Sequence, residues 1–320
     1  MATTLEQGGT GVLQQLHGER VPAELQPLLD HYDEVTTDRS RLLWKWLWHV
    51  FPEFRLSSVP DRHTAAARRA KFGLSVFMTV LDDLSERHRD RETFEAGRKI
   101  PFAGASAPTA GVDDGAYELL RHAWEATESH LDDAPRRDRF GELFDFDLRQ
   151  SLNSMDFNRL VNESPALASR TGAELYDTHN MLLYLYVDID LAFSPGFDTA
   201  DLPTLRDVTW EAQRLVRIGN WVTTWERELA EGDFTSRVVV EAMEQGVVTR
   251  AELQAGSVPV DRLVERIRGT DIEHDLLRTW NDIYGDLTAT DHGVDSVDLD
   301  GFIDGIRYLL EVDVKARGYK

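Results

Sequence analysis

Arg217-Ile-Gly-Asn-Trp-Val-Thr-Thr-Trp-Glu-Arg-Glu-Leu-Ala-Glu-Gly-Asp233 carries Asn220, Thr224 and Glu228 at strict four-residue intervals. Wound as a helix, that spacing stacks an amide, a hydroxyl and a carboxylate on one face. Such a ladder of oxygen atoms suits a hard cation. Magnesium takes near-octahedral oxygen coordination and shares its shell between a few protein oxygens, water and substrate phosphate, so the ladder has a use where a phosphate lies opposite. Arg227, beside Glu228, offers a matching positive charge. For the triplet alone, a polar helix face that repeats by chance explains the pattern equally well.

A second acidic cluster, Asp82-Asp83-Leu84-Ser85-Glu86, closes the apolar run from Phe72 to Leu81. With 57 acidic residues in 320, on the order of one or two such strings arise by chance. Asp113-Asp114 followed by Glu118 is a decoy of that kind. Position separates the two. Three carboxyls in one helical turn beside a buried face repel one another unless cations neutralise them, and the helix dipole disfavours negative charge at a C-terminal end. Metal binding is therefore favoured over a solvated helix end, with Asp82, Asp83 and Glu86 as candidate ligands.

Together the clusters resemble class I terpene synthases, in which an aspartate-rich motif faces an Asn/Asp-x-x-x-Ser/Thr-x-x-x-Glu motif across a helical barrel. Arg227-Glu228 and Gly232-Asp233 match the end of the second motif, and Arg307-Tyr308 matches an Arg-Tyr pair near the C-terminus of bacterial members. The resemblance implies one all-α domain over residues 1–320, three magnesium ions, and an isoprenoid diphosphate substrate. Its metal ligands would be Asp82, Asp83, Glu86, Asn220, Thr224 and Glu228. Arg227, Arg307 and Tyr308 would grip the diphosphate. A loop before the final helix, here Thr290 to Asp300, closes over substrate in those enzymes. The tract Trp44 to Pro60, Arg87-His88-Arg89-Asp90 and Ile218-Gly219-Asn220-Trp221 resemble bacterial diterpene synthases of the kaurene synthase type, which accept a bicyclic C20 diphosphate; farnesyl diphosphate stays open as a substrate.

The chain also departs from that pattern. Glu174 stands where bacterial members keep a diphosphate-sensing Arg, which leaves Arg170 and Arg217 as alternatives of equal rank. Trp221 replaces an Asp that many relatives carry, and Glu86 replaces the last Asp of the first motif. Phe77, Met78, Phe157, Tyr184 and Trp221 are candidates to line a pocket whose aromatic faces stabilise carbocations, although plain core packing is the commoner fate of each. His179 is assigned to the core. A chain-elongating prenyltransferase or a squalene/phytoene-type condensing enzyme shares the fold but uses a second aspartate-rich motif, against which Asn220-Thr224-Glu228 argues. A non-catalytic helical binding protein would explain the acidic helical chain and leave the two clusters unexplained.

Composition fits a helical domain with an ample core, at 42% apolar residues. No apolar run reaches eighteen residues and no signal pattern opens the chain, so a cytoplasmic protein without membrane insertion is expected. Without cysteine there is no disulfide, thiolate ligand or cysteine nucleophile. A net charge of −22 argues against nucleic-acid partners, while a homodimer is left open. Five lysines against thirty arginines fit either high genomic G+C content or a salty cytoplasm.

Helical periodicity runs throughout and alternating strands are scarce. Residues 1 to about 38 read as a polar lead with short helices, broken near Pro22 and Pro27. Helices are expected over 41–51, 62–95, 116–130, 137–160, 202–231, 237–245, 260–285 and 299–315. Gly104 to Gly115 reads as a small-residue loop, and Glu174 to Phe193 as a strongly apolar segment stopped by Ser194-Pro195-Gly196.

Overall fold

The computed structural model describes Gly11 and residues 14–36, 38–103 and 110–318. Part of the polar lead and Gly104 to Pro108 and Thr109 of the small-residue loop lie outside the described residues. Within them the chain is helical and forms no strand, and no helix is long and apolar enough to cross a membrane. The helices are α1 (Gln26–Val35), α2 (Arg41–Val50), α3 (Asp61–Asp82), α4 (Arg91–Gly97), α5 (Ile100–Ala103), α6 (Asp114–Leu131), α7 (Arg137–Glu163), α8 (Arg170–Leu175), α9 (Leu183–Ala192), α10 (Leu202–Glu231), α11 (Arg237–Glu244), α12 (Arg250–Ala255), α13 (Val260–Arg268), α14 (Ile272–Ala289) and α15 (Leu299–Lys315).

Local chemistry sets the ends of the longest helix. Pro203 sits in the first turn of α10, where its missing N–H costs nothing. Gly232, at φ 82°, ends it in the left-handed conformation that spares a Cβ clash, and its N–H bonds the Leu229 carbonyl. This turn folds Asp233 back onto the helix, where its N–H reaches the Glu228 carbonyl at 2.8 Å. Pro27 likewise lies in the first turn of α1, so it starts that helix rather than breaking the chain. Leu28, Leu29 and Tyr32 then bury the face of α1 that packs on α6.

Two expected helices are interrupted. The helix read over 62–95 stops at Asp82, continues as a wide π turn from Asp83 to Arg87, and restarts as α4. Arg89, at φ 55°, makes the reversal. The segment read over 260–285 is two helices parted at Gly269. A third break lies inside the apolar segment from Glu174 to Phe193. After α8 the chain tightens into a 3-10 turn over Asp177–Met181, and Leu182 takes φ 60° before α9 begins.

Helices α3 and α9 are the inner pair. All ten residues of α9 are buried, as is most of α3 from Ala70 to Leu81. Gly73 lets α3 approach α6, since a Cβ there would lie 2.8 Å from Thr127 Oγ1. Two charges tie the inner pair together: Lys71 Nζ on α3 donates to Asp190 Oδ2 on α9 at 2.7 Å, both out of water. Helices α2, α3, α7, α9, α10 and α15 together line a cavity. Final closure comes from α15, which packs on α10 and presses Gly305 against the turn that follows α2.

A Cβ at residue 305 would stand 1.9 Å from the Glu53 carbonyl oxygen, and backbone cannot rotate away as a side chain can. Gly305→Ala is therefore expected to destabilise the fold by at least about 1–3 kcal/mol in chemical denaturation. Gly141→Ala, in open space on α7, should gain about 0.5–1 kcal/mol; equal effects at the two sites would dismiss the close contact.

Asp188 on α9 supplies a pH signature. Burial, reinforced by the neighbouring Asp147, pushes its carboxyl well above the ordinary range, with Arg206 opposing. The folded state thus holds a proton that the unfolded chain releases near its ordinary value of 3.8. The stability from that proton is complete below about pH 4 and is lost as pH rises through the raised folded value. Asp188→Asn should flatten the fall of Tm with pH and raise Tm at neutral pH; an unchanged profile would contradict the assignment.

Candidate functional site

The cavity is open to solvent on one side and has a volume of about 460 Å³ and two chemically distinct ends. Each wall is a helical stripe. On α3, Ser75, Met78, Thr79 and Asp82 face inward at i, i+3, i+4 and i+7. Along α2 the same spacing turns Leu43, Trp46, Leu47 and Val50 to the cavity. From α10 come Val216, Arg217, Asn220, Thr224, Arg227, Glu228 and Glu231. Apolar residues gather along α2, α3 and α9, joined by Phe54 and Tyr186, whereas carboxylates and guanidinium groups gather where α3 and α10 end.

The two acidic motifs therefore meet. Asp82, Asp83 and Glu86 line the same cavity as Asn220, Thr224 and Glu228, with Asp233 brought back by the Gly232 turn. The π turn matters here because a wider turn rotates Glu86 relative to a continuing α-helix. Asn180, from the 3-10 turn, donates to Asp82 Oδ1 at 3.2 Å.

Burial and mutual repulsion govern the charges. Desolvation, with Asp82 and Asp233 nearby, pushes the Glu86 carboxyl well above the usual range. Glu228 rises to about 7, first from desolvation and then from Asp233, against the pull of Arg227 and Arg217. Desolvation also raises Asp233 and Asp83, the latter opposed by Arg39. One oxygen each of Glu86 and Glu228 is buried without a hydrogen-bond partner. An all-oxygen donor set with orphaned carboxylate oxygens fits a hard divalent cation. Among the described residues, no three His, Asp or Glu side chains are gathered into a metal-holding group. The donors that could hold magnesium are spread over both motifs and include an amide and a hydroxyl.

Arginines surround the acidic end. Arg217 is the deepest: its Nε donates to Asp177 Oδ2 at 2.8 Å and its Nη1 to Asn220 Oδ1 at 2.7 Å. Arg227 Nη1 bonds Glu231 at 2.8 Å. Arg39 forks onto Asp83, with Nη2–Oδ1 at 2.6 Å, and approaches Asp82 at 3.5 Å. Arg87 binds Glu231 and the Asp38 carbonyl.

Other expected residues are placed elsewhere. Of the two sensor alternatives, Arg217 lines the cavity, while Arg170 is exposed on α8 and forked onto Glu241. Arg307 points to the outside of α15, where it pairs with Glu311 at 3.1 Å. Tyr308 donates to or accepts from His49 Nε2 at 2.9 Å, also outside the lining. Leu309 is the inward residue, and about 200° of helix separates it from Arg307. Met78 lines the cavity, but the aromatic candidates do not. Phe77 turns to Trp124 on α6, Phe157 packs on Tyr176, and Tyr184 bonds the Arg206 carbonyl. Trp221 donates its indole N–H to Asp177. His179 stacks on Tyr184 and meets the Trp210 ring at a tilt, and burial lowers its basicity.

The aromatic lining is Trp46, Phe54 and Tyr186. Trp46 was legible from the stripe Leu43, Trp46, Leu47 and Val50, which leaves Trp44 and Trp48 on the core side against Phe72. Arg39, Arg87, Asn180 and Asp177 belong to turns or to side chains brought together over long sequence separations, and no spacing announces them. No protein-family model matches the chain, and no curated protein sequence matches it.

Asp177 is expected to carry the geometry of this end. Asp177→Asn keeps the shape but leaves Arg217 buried without its counter-charge, a change worth about 3–5 kcal/mol when a buried pair is broken. Urea unfolding measures it, and a loss under about 1 kcal/mol would show that the pair is dispensable.

Proposed function

We propose that this chain is a magnesium-dependent class I terpene synthase that ionises an isoprenoid diphosphate, with a C20 substrate, acyclic or bicyclic, favoured. The observation that supports this most is the meeting of Asp82 and Glu86 with Asn220, Thr224 and Glu228 at the charged end of a cavity whose other end is apolar. A volume of about 460 Å³ lies within the range of small-molecule sites, roughly 300–1,000 Å³. An amphipathic ligand with an anionic head and a hydrocarbon tail matches both ends at once.

Asp82, Glu86, Asn220, Thr224 and Glu228 would hold magnesium, with Asp83 held back by its fork to Arg39. Bound magnesium supplies Lewis-acid stabilisation of the charge that grows on a leaving diphosphate. Arg217 and Arg227 face the same space and orient diphosphate oxygens through charge-assisted hydrogen bonds. Breaking the allylic C–O bond leaves both electrons on diphosphate and a carbocation in the cavity. Leu43, Leu47, Met78, Leu183 and Val216 keep water from that cation, and stray water would end the reaction early. Trp46, Phe54 and Tyr186 line the same space, and a ring that meets the cation face-on would contribute about 2 kcal/mol when desolvated. Cyclisation or rearrangement then ends in loss of a proton or capture of water. Arg307 and Tyr308, as placed, take no part in the clamp.

Incubation of the purified protein with magnesium and C15, C20 or bicyclic C20 diphosphates, followed by analysis of hydrocarbon extracts, tests the proposal. Terpene hydrocarbons or alcohols with release of diphosphate are expected. Products containing a second isoprenoid unit would favour a prenyltransferase, and no release from any substrate would favour a binding protein. Asp82→Ala and Asn220→Ala should each lower turnover by about 100-fold or more, since several kcal/mol of charge stabilisation is at stake, with circular dichroism unchanged. Near-normal turnover in either variant would remove it from the metal site.

A further inference from the structure

A second cavity, of about 350 Å³, lies between the end of α2, the N-terminal half of α3 and α9, and shares no lining residue with the first. In a chain of net charge −22 its lining is unusual: Arg55, Arg68, Arg69 and Lys71 against only Asp61 and Asp190. Lys71 and Asp190 neutralise each other at the base. That leaves three arginines lining the space with Asp61 exposed among them.

None of these arginines is fully satisfied by protein. Arg55 donates to the Val59 carbonyl at 3.2 Å, and its attraction to Asp190 is shared with Lys71, which holds that carboxylate directly. Arg68 spreads over the Trp48 ring, 3.8 Å from its centre, and donates to the Trp48 carbonyl, while Glu19 is distant at 3.9 Å. Burial without a close counter-ion drags this guanidinium down to about 10, and Glu19 and Glu53 offset only part of the effect. Arg69 pairs with Glu24 through one terminal nitrogen and keeps its Nε buried without a partner. A guanidinium stays protonated at neutral pH, so its incomplete neutralisation is relieved by bringing in an anion rather than by losing a proton.

The geometry points to a binding site for the phosphate group of a small molecule, gripped by Arg55 and Arg68, with an uncharged body against Trp48 and Phe51. Planar guanidinium forks match phosphate oxygens in pairs, which a carboxylate-rich surface elsewhere on the chain would repel. The volume exceeds what a bare phosphate fills, and the walls beside the arginines, Trp48, Phe51 and Pro52, are apolar. This site stands independently of the activity proposed for the first cavity, because none of the residues assigned there lines it.

Thermal denaturation in magnesium-free buffer at fixed ionic strength provides the test, with phenyl phosphate and inorganic phosphate as probes and sodium chloride as the ionic control. A saturable rise in Tm is expected for both probes, at lower concentration for phenyl phosphate. Arg55→Gln and Arg68→Gln should each weaken the apparent Kd by about tenfold or more, the loss typical of a hydrogen bond to a charged group. Arg55 makes a single carbonyl hydrogen bond, so Arg55→Gln gives a readout even where Arg68→Gln does not fold. Absence of a saturable rise, an equal rise with chloride, or a rise that persists unchanged in the variants overturns the inference. Equal affinity for the two probes would overturn the apolar half of it.

Discussion

One carboxylate fixes the charged end of the first cavity. Asp177 receives Arg217 through two nitrogens, the Trp221 indole N–H at 2.9 Å and the Asn158 amide at 2.8 Å. Four donors occupy essentially all the lone-pair directions that a carboxylate offers. They come from α7 and α10, while Asp177 itself belongs to the 3-10 turn between α8 and α9. The pair thus pins three stretches of chain at one point. Arg217 then passes the constraint on by fixing the Asn220 amide through Nη1. A buried ion pair is weak evidence of stability for its own sake, since desolvation offsets most of the attraction. Its physical yield here is orientation: the first rung of the α10 ladder is held by a side chain that cannot move.

Opposite that fixed wall, the carboxylates at the end of α3 are held by more accessible partners. Arg39, from the connection between α1 and α2, forks onto Asp83, and Asn180 reaches Asp82. The result is asymmetric. Asn220 is locked from behind, whereas Glu86 and Glu228 each retain a buried oxygen without a hydrogen-bond partner. Because Glu86 and Glu228 both feel Asp233, adding positive charge anywhere in this cluster favours ionisation of all three. Cation binding and proton release are coupled in such a nest.

Much of this was legible in the chain, for reasons that differ from place to place. The four-residue interval of Asn220, Thr224 and Glu228 needs only one helix to become a common face, and Pro203 and Gly232 mark the ends of that helix as Leu202–Glu231. The first motif was located correctly at the end of an apolar helix, but its continuation was not, because polar residues after Glu86 suit a helix as well as a π turn. Leu182 at φ 60° carries no glycine to announce the break before α9. Arg307-Tyr308 was a matter of resemblance rather than of period. On α15 the inward stripe passes through Leu309, so the charged partner of the pair faces Glu311 and solvent. Asp177 shows the general limit: Arg217 and Trp221 lie 40 or more positions away, and only the tertiary fold brings the three together.

The acidic balance of the chain, finally, does not oppose binding of anionic groups at either cavity. Net charge acts over distance and is damped within about 8 Å at physiological ionic strength, whereas a partly buried guanidinium in contact is screened much less. In the first cavity Arg39, Arg87, Arg217 and Arg227 interleave with the carboxylates, so charge of both signs is present within one small volume. In the second, arginines outnumber acids and one is already destabilised by burial. The two cavities therefore select differently. On the readings proposed above, the first would take an anion only together with added cations, because its own carboxylates must be neutralised first, whereas the second would take an anion alone.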